Sequence, residues 1–186
     1  MDAIDKALQV FPDSQVACLR SIRQTLEGLV PTGEWDLSWG MPTLRINGVI
    51  LMSFFGFASH NSLFPGPEVH ALLGSALDGY TTTKGTIHID RDTPPKKAFL
   101  RAVVEARIRV INESYPKKSG EFLEFYSTGA LKATGKYRGG QMHGAWSFYR
   151  KDGSLMRQGS FTNGAQTGEW TTFTADGSAH TTTTFT

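Results

Sequence analysis

Cysteine is nearly absent from this sequence of 186 residues, because Cys18 is the only one. A single thiol excludes an internal disulfide and any zinc site built from several cysteines. We therefore expect a protein of a reducing compartment, the cytoplasm. No apolar run approaches the roughly 20 residues that a membrane-spanning helix needs. The N-terminus has no basic segment followed by an apolar core, so we expect no signal peptide.

An excess of charge of either sign is also missing. The chain has 19 Lys and Arg against 17 Asp and Glu, which gives a net charge of +2. No basic block or basic-aromatic stripe accompanies that charge, so the sequence predicts no nucleic-acid partner. Glycine-rich phosphate loops and the common motifs of hydrolases are absent as well. We therefore expect a protein that is not an enzyme and that needs no cofactor of the usual motif-bearing kinds.

A change in composition divides the chain near residue 115. Helical and strand-like segments alternate up to residue 114, whereas Gly, Thr and aromatic residues dominate from residue 120 onward. Pro116 breaks any incoming helix, and the polar residues around it are typical of a short linker. We predict a first domain at 1–114, a linker at 115–119 and a repeat region at 120–186.

The repeat region contains three copies of one unit, at 120–143, 144–167 and 168–186. Glycines and aromatic residues recur at matching positions in each copy: Gly120, Gly144 and Gly168; Phe122, Trp146 and Trp170; Phe125, Tyr149 and Phe173; Gly129, Gly153 and Gly177; and Tyr137, Phe161 and Phe185. Asp152-Gly153 is a turn dipeptide, because glycine takes the positive φ of a tight hairpin turn. Each copy therefore predicts a β-hairpin. A single hairpin is marginal in water, so we expect the three to stack.

These copies resemble the MORN repeat, in the variant found in bacterial YwqK-like proteins, over Gly120 to Thr186. The third copy departs from that pattern, because Thr183 replaces the second-half glycine. The resemblance implies contacts with another protein or with phospholipid headgroups. Membrane-surface binding requires the basic residues of the repeats to lie on one face.

The aromatic residues of the repeats have two interpretations. They form either the shared core of the stacked hairpins or a groove for an unknown protein partner. On the second interpretation the partner-binding residues are Phe122, Tyr126, Trp146, Tyr149, Trp170 and Phe173.

The first domain combines helical and strand patterns. Asp13-Ser14 predicts the N-cap of a helix whose apolar residues follow at helical spacing. Asn47-Gly48 predicts a hairpin turn between two strands. A short helix, a strand and a last helix are predicted to begin near Pro67, Gly85 and Lys96. The predicted fold class is α+β for the N-terminal domain, an antiparallel sheet with flanking helices, followed by an all-β array of MORN-like hairpin repeats.

Several motifs of this domain resemble the YdhG-like family, a domain of unknown function. They occur in the family's order over roughly Cys18 to Glu113: Leu37-Ser38-Trp39-Gly40-Met41-Pro42, Ser59-His60, Phe64-Pro65, Gly79-Tyr80, Thr83-Lys84-Gly85-Thr86-Ile87 and Pro94-Pro95. Two positions depart: Trp39 stands where the family usually has tyrosine, and His88-Ile89-Asp90 replaces an aromatic-proline stretch. Some members are described as frataxin-like iron chaperones, so the resemblance implies iron as the one cofactor to consider.

Five residues of the first domain are candidates for a ligand pocket: Trp39, Met41, His60, Phe64 and Lys84. His60 follows a hydrophobic strand, where its ring either donates to an anionic or carbonyl ligand or satisfies backbone groups. Lys84 either pairs with a ligand carboxylate or phosphate or is a solvated lysine at a turn. Met41 is either a core residue at a strand-end bend or a ligand contact.

A metal site is the second candidate in this domain. His88, Asp90 and Asp92 alternate along a strand and its exit, so we predict that all three point the same way. Two carboxylates and an imidazole suit iron or another divalent ion. The alternative is a solvated strand face. Cys18 lies beside Leu19 on the first helix without a histidine motif, and we expect it to be a small buried residue.

These patterns favour a non-enzymatic, cytoplasmic binding protein. Its YdhG-like domain would bind a small ligand, and its repeats would bind a protein partner. Iron binding and delivery of the frataxin-like type is one alternative, and an enzyme of unknown class is another.

Overall fold

The computed structural model describes residues 2–186. Within them the chain forms four α-helices: α1 (Ala3–Leu8), α2 (Asp13–Leu29), α3 (Glu68–Leu73) and α4 (Lys97–Ser114). A 3₁₀ turn, Gly74–Leu77, follows α3. None of the helices described is both long enough and apolar enough to cross a bilayer.

Twelve strands complete the described part of the chain. They are β1 (Glu34–Ser38), β2 (Met41–Ile46), β3 (Val49–Gly56), β4 (Asn61–Phe64), β5 (Thr82–Thr83), β6 (Thr86–Ile89), β7 (Gly120–Phe125), β8 (Leu131–Arg138), β9 (Gln141–Tyr149), β10 (Leu155–Thr162), β11 (Ala165–Phe173) and β12 (Ala179–Phe185). The chain divides into two compact units, one ending at Val110 and the other running from Ile111 to Thr186.

The first unit is built on an antiparallel sheet with the strand order β1-β2-β3-β4-β6-β5. Asn47 and Gly48 adopt φ values of 46° and 77° in the turn between β2 and β3, which confirms the predicted hairpin. Helix α2 begins at Asp13 itself; Pro12 occupies the cap position and no side chain caps the helix. The predicted N-cap is therefore wrong, because Asp13 is the first residue of the helix and not its cap. The predicted helix itself is present.

The core of the first unit lies between one face of this sheet and the helices. Leu19, Ile22 and Leu26 of α2 are fully buried, as their helical spacing predicts. Phe54 of β3 and Leu63 of β4 are directly opposite each other and are also fully buried. Each such side chain stabilises the fold by about 1.5–3 kcal/mol relative to an exposed one.

The second unit contains a six-stranded antiparallel sheet in the order β12-β11-β10-β9-β8-β7. Successive strands are neighbours throughout, so the sheet is a simple meander. One face carries a cluster of aromatic rings that contact each other across the strands, and its buried members are Phe122, Ala133, Trp146, Phe161 and Trp170. Trp146 and Trp170 are 2% and 1% exposed, although they belong to a single sheet.

Glycines make that burial possible. A Cβ atom at Gly135 would overlap the indole ring of Trp146, and a Cβ at Gly159 would overlap the ring of Trp170. Each ring therefore lies flat on the backbone of the preceding strand. The indole N–H of Trp146 donates to the carbonyl of Lys136 at 3.2 Å. That of Trp170 donates in the same way to Ser160 at 3.0 Å, so the buried N–H groups are satisfied.

The predicted fold class, an α+β domain followed by an array of MORN-like hairpin repeats, is wrong. The structure has two six-stranded antiparallel sheets with few helices, and the second sheet is not a row of separate hairpins. Strands of successive copies pair as regularly as strands within one copy, because tight turns such as Asn163-Gly164 join the copies too. The division between the units also falls inside α4, so no separate array begins after that helix.

Replacing Gly159 with alanine tests the packing of glycine against tryptophan. The added methyl group must displace the Trp170 ring, and overpacking of this kind costs about 1–3 kcal/mol. We expect the free energy of unfolding, measured by urea denaturation, to fall by that amount. Thr183 holds the equivalent position of the third copy and is exposed. Thr183→Ala is therefore the matched control, with an expected change below about 0.5 kcal/mol; equal costs for the two variants would contradict the packing account.

Candidate functional site

A row of stacked rings lies on the first sheet where β3, β4 and β6 meet. The imidazole rings of His60 and His88 stack with 4.1 Å between their centroids. The ring of Phe57 stacks on the other side of His60, with a centroid distance of 5.2 Å. Phe55 and Phe64 contact Phe57 edge-on. We call these five residues the imidazole cluster.

The register of the strands explains this meeting. Ser62 of β4 lies opposite both Phe55 of β3 and His88 of β6, so these residues share one face of the sheet. Leu63 and Ile87, one position further along, point to the other face and are fully buried in the core. The imidazole cluster therefore occupies the face turned away from the core. Its rings are half-buried, and Phe57 is 41% exposed.

The electrostatics of the imidazole cluster favour a neutral His60 ring in the absence of a ligand. Partial burial lowers the pKa of His60 below its usual 6.5, and the nearby charge of His88 lowers it further. Two imidazolium rings this close would repel each other, so protonation of one opposes protonation of the other. The hydroxyl of Ser59 lies 3.1 Å from Nδ1 of His60, which leaves Nε2 of that ring for a ligand.

A buried amide holds the turn between β3 and β4. The Asn61 side chain is fully buried and donates to the carbonyls of Asp90 at 3.1 Å and Arg91 at 2.8 Å. Its carbonyl oxygen accepts from Gln15 Nε2 at 2.9 Å, and the same nitrogen donates to the carbonyl of Phe57. Helix α2, the turn that carries His60 and the exit from β6 are thus joined through one side chain.

Cys18 belongs to the same buried region. The amide nitrogen of Asn61 lies 3.4 Å from its sulfur. Burial raises the pKa of the Cys18 thiol to about 11, so the thiol is protonated at neutral pH. A buried, protonated thiol is a poor nucleophile, and Cys18 is the small buried residue that the sequence predicted.

The five residues predicted for a ligand pocket do not all meet. His60 and Phe64 belong to the imidazole cluster. Trp39 lies on the turn between β1 and β2 with a φ of 53° and is 83% exposed. Met41 begins β2 and is half-buried, and Lys84 is exposed on the turn between β5 and β6.

The structure does not bring together the three residues predicted for a metal site, His88, Asp90 and Asp92. Strand β6 ends at Ile89, so the alternation that was expected to align His88 with Asp90 and Asp92 stops before the carboxylates. Asp90 accepts hydrogen bonds from the backbone N–H groups of Asp92 and Thr93, and Asp92 pairs with Arg91 at 3.0 Å. Within residues 2–186, no group of three or more His, Cys, Asp or Glu side chains is placed to hold a metal ion.

The residues predicted to bind a partner make contacts within the second sheet itself. Phe122, Trp146 and Trp170 are buried in its aromatic cluster. The Tyr126 hydroxyl donates to the carbonyl of Tyr149 at 2.8 Å. Arg150 occupies the position of Tyr126 in the second copy, and it donates to the carbonyl of Phe173, which occupies the position of Tyr149. The same pair of positions therefore joins neighbouring copies twice.

Comparison with known proteins finds one similar structure to report and no match by sequence. No protein-family model matches the sequence. No curated protein matches it either. The crystal structure of YdhG, a protein of the DUF1801 family from Bacillus subtilis, is similar with a TM-score of 0.56 at 18% sequence identity. The similarity covers 61% of this chain and 94% of that chain.

This chain contains a YdhG-like fold. The match covers more of the chain than the second unit alone contains, so the YdhG-like segment includes residues of the first unit. The resemblance of the first domain to the YdhG-like family is therefore supported at the level of the fold. The resemblance of the repeats to MORN repeats and the relation to frataxin-like chaperones stay predictions.

Phe57, Asn61 and Gln15 are functional candidates that the sequence analysis missed. Phe57 continues the alternation of Phe55 beyond the end of β3, which is a signal that could have been used. Asn61 and Gln15 stand 46 positions apart. Their pairing depends on how α2 packs on the sheet, and no local pattern encodes that packing.

The lowered pKa of His60 predicts a pH dependence of stability. The unfolded state binds a proton near pH 6.5 more readily than the folded state does. The free energy of unfolding should therefore fall as the pH decreases through about 6.5, and the contribution of His60 should be fully present above that pH. Urea denaturation between pH 5 and 8 measures this slope, which His60→Gln should reduce. An unchanged slope in His60→Gln would contradict the assignment.

Proposed function

We propose that the first unit is a non-enzymatic module that binds a small ligand on the imidazole cluster. The supporting observation is the stack of Phe57, His60 and His88 on the face of the sheet away from the core, in which the histidine rings are half-buried and Phe57 is exposed. The ligand class that fits this stack is a small carboxylate with a planar apolar body.

The imidazoles provide the polar half of this recognition. A carboxylate placed at Nε2 of His60 would accept a hydrogen bond and would favour the protonated ring, because an opposite charge stabilises the charged form. The same carboxylate would offset the repulsion between the rings of His60 and His88. Binding should therefore be accompanied by proton uptake near neutral pH.

The phenylalanines provide the apolar half. Phe57 presents an exposed ring at the end of the stack, with Phe55 and Phe64 edge-on around it. Aromatic rings prefer offset or edge-on contacts with other rings, so a planar ligand gains more here than an aliphatic one of equal size.

Binding without catalysis is favoured by the surroundings of these rings. Ser62 lies beneath the cluster, but its partners across the sheet are strand residues and no hydrogen bond joins it to His88 among the contacts described. Lys84, the lysine predicted for the ligand pocket, is exposed on a turn. Partner binding by the repeats stays a prediction, and the buried rings of the second sheet do not provide its surface.

Titration with benzoate, followed by the NMR signals of the histidine rings, tests the proposal. Benzoate should bind at pH 6 with a Kd on the order of 1–10 mM, as its small size allows. Affinity should weaken by about tenfold or more at pH 8, where the His60 ring is neutral. Acetate should bind more weakly than benzoate, because it lacks the planar body.

Two variants complete this experiment. His60→Gln should abolish the benzoate-induced shifts of His88, whereas His180→Gln, which replaces an exposed histidine of the second sheet, should leave them unchanged. The proposal is overturned if benzoate shifts neither His60 nor His88, or if benzamide, which carries no charge, binds as tightly as benzoate at pH 6.

A further inference from the structure

The outermost strand of the second sheet, β12, presents an open edge. Its residues Thr181 to Phe185 pair in unbroken register with Gly168 to Thr172 of β11, and its other side has no strand beside it within residues 2–186. All residues of β12 except Phe185 are exposed. Such an edge displays unpaired backbone N–H and C=O groups that another strand can bind.

The protection that edge strands usually have is missing from the regular part of β12. Thr181 to Phe185 contain no proline, no lysine and no other charged residue. The one irregularity lies before this stretch, where the register shifts at His180. The opposite edge strand, β7, carries Glu121 and Glu124. Both glutamates pair with lysines of β8 at 2.7 Å, and the Asn112 amide hydrogen-bonds the backbone of Phe125. Strand β7 is therefore charged and partly covered, whereas the regular part of β12 is neither.

Thr183 restricts what can cover this edge. It occupies the position of Gly135 and Gly159, the two glycines on which tryptophan rings of the following strand lie. The threonine side chain would exclude an indole ring there. A strand that covers β12 therefore cannot pack a tryptophan as β9 and β11 do, and a strand with small side chains fits instead.

We propose that β12 pairs in antiparallel orientation with β12 of a second copy of this chain. The pairing joins two six-stranded sheets into one continuous sheet about a two-fold axis. Thr181, Thr182, Thr183 and Thr184 would face threonines of the second copy, and such cross-strand pairs are favourable in antiparallel sheets. The strand is compatible with itself because it is uncharged and its side chains are small.

The affinity of this pairing should be modest. One strand of this length buries far less surface than the roughly 1,200–2,000 Å² of a standard protein interface. We therefore expect a dimer that dissociates on dilution, with a Kd in the micromolar range.

Sedimentation velocity of the full chain over about 10 to 500 μM tests the proposal, because this range brackets a Kd in the micromolar range. The unmodified chain should shift from monomer to dimer as its concentration rises. Thr182→Lys with Thr184→Lys should remain monomeric over the same range, since two lysines on each strand would face each other.

The matched control adds the same charge away from the edge. Ser147 and Thr171 lie on the inner strands β9 and β11, on the same face as Thr182. The variant Ser147→Lys with Thr171→Lys should dimerise as the unmodified chain does. The proposal is overturned if the unmodified chain is still monomeric at about 500 μM, a concentration well above a Kd in the micromolar range. It is also overturned if the variant with lysines at Thr182 and Thr184 still forms the dimer.

A cross-linking scan gives an independent readout. Single cysteines at Thr182, Thr183 and Thr184 should form a disulfide-linked dimer at the position nearest the two-fold axis, because only there does an antiparallel pair bring a residue close to its own copy. Cys18 is buried and does not interfere. Cysteine in place of Asp176, an exposed residue of the turn between β11 and β12, serves as the comparison. Equal cross-linking at that position would also overturn the proposal.

Discussion

The buried amide of Asn61 is the contact on which the candidate site depends. A polar side chain that is fully buried costs free energy unless its donors and acceptors are satisfied, and about 1–3 kcal/mol is lost for each group left unpaired. Asn61 satisfies its own groups with Gln15 of α2 and with the carbonyls of Asp90 and Arg91 beyond β6. His60 directly precedes Asn61 in the chain, so these hydrogen bonds also fix the position of His60. They likewise fix the distance between β4 and β6 at which His60 meets His88.

The second sheet depends on a different constraint, the flat packing of tryptophan on glycine. The aromatic rings on one face of this sheet cover one another in a closely packed cluster. Gly135 and Gly159 allow Trp146 and Trp170 to lie on the backbone, where their N–H groups find carbonyl acceptors. Thr183 breaks this pattern at the edge of the sheet. The ring packing therefore ends on an edge strand whose side chains, Thr181 to Thr184, are small and uncharged.

Much of the local structure could be predicted from the sequence, because it depends on neighbouring residues. Asn47-Gly48 specifies its turn through the positive φ that both residues adopt, and the regular glycines of the repeats specify theirs. The fold class could not be predicted. The turns between copies are as tight as the turns within them, so that the hairpins merge into one sheet, and local turn chemistry does not distinguish these two outcomes.

The candidate site was predictable only in part. His60, Phe64 and His88 were singled out, but as members of different sites, since their meeting requires the pairing of β4 with β6. Asp90 and Asp92 were wrongly aligned with His88, because the sequence does not reveal that β6 ends at Ile89. Phe57 and Asn61 act through packing and hydrogen bonds between distant segments, which a linear pattern does not contain.

The pKa of His60, measured by NMR in the unmodified chain and in His88→Gln, tests the central claim most directly. If the two rings are stacked as described, the pKa of His60 lies below 6.5 in the unmodified chain. It should rise toward the usual value in His88→Gln, because the charge of His88 no longer opposes protonation. A His60 pKa at its usual value in the unmodified chain, or one that does not move in the variant, would contradict the stacked pair and the binding site built on it.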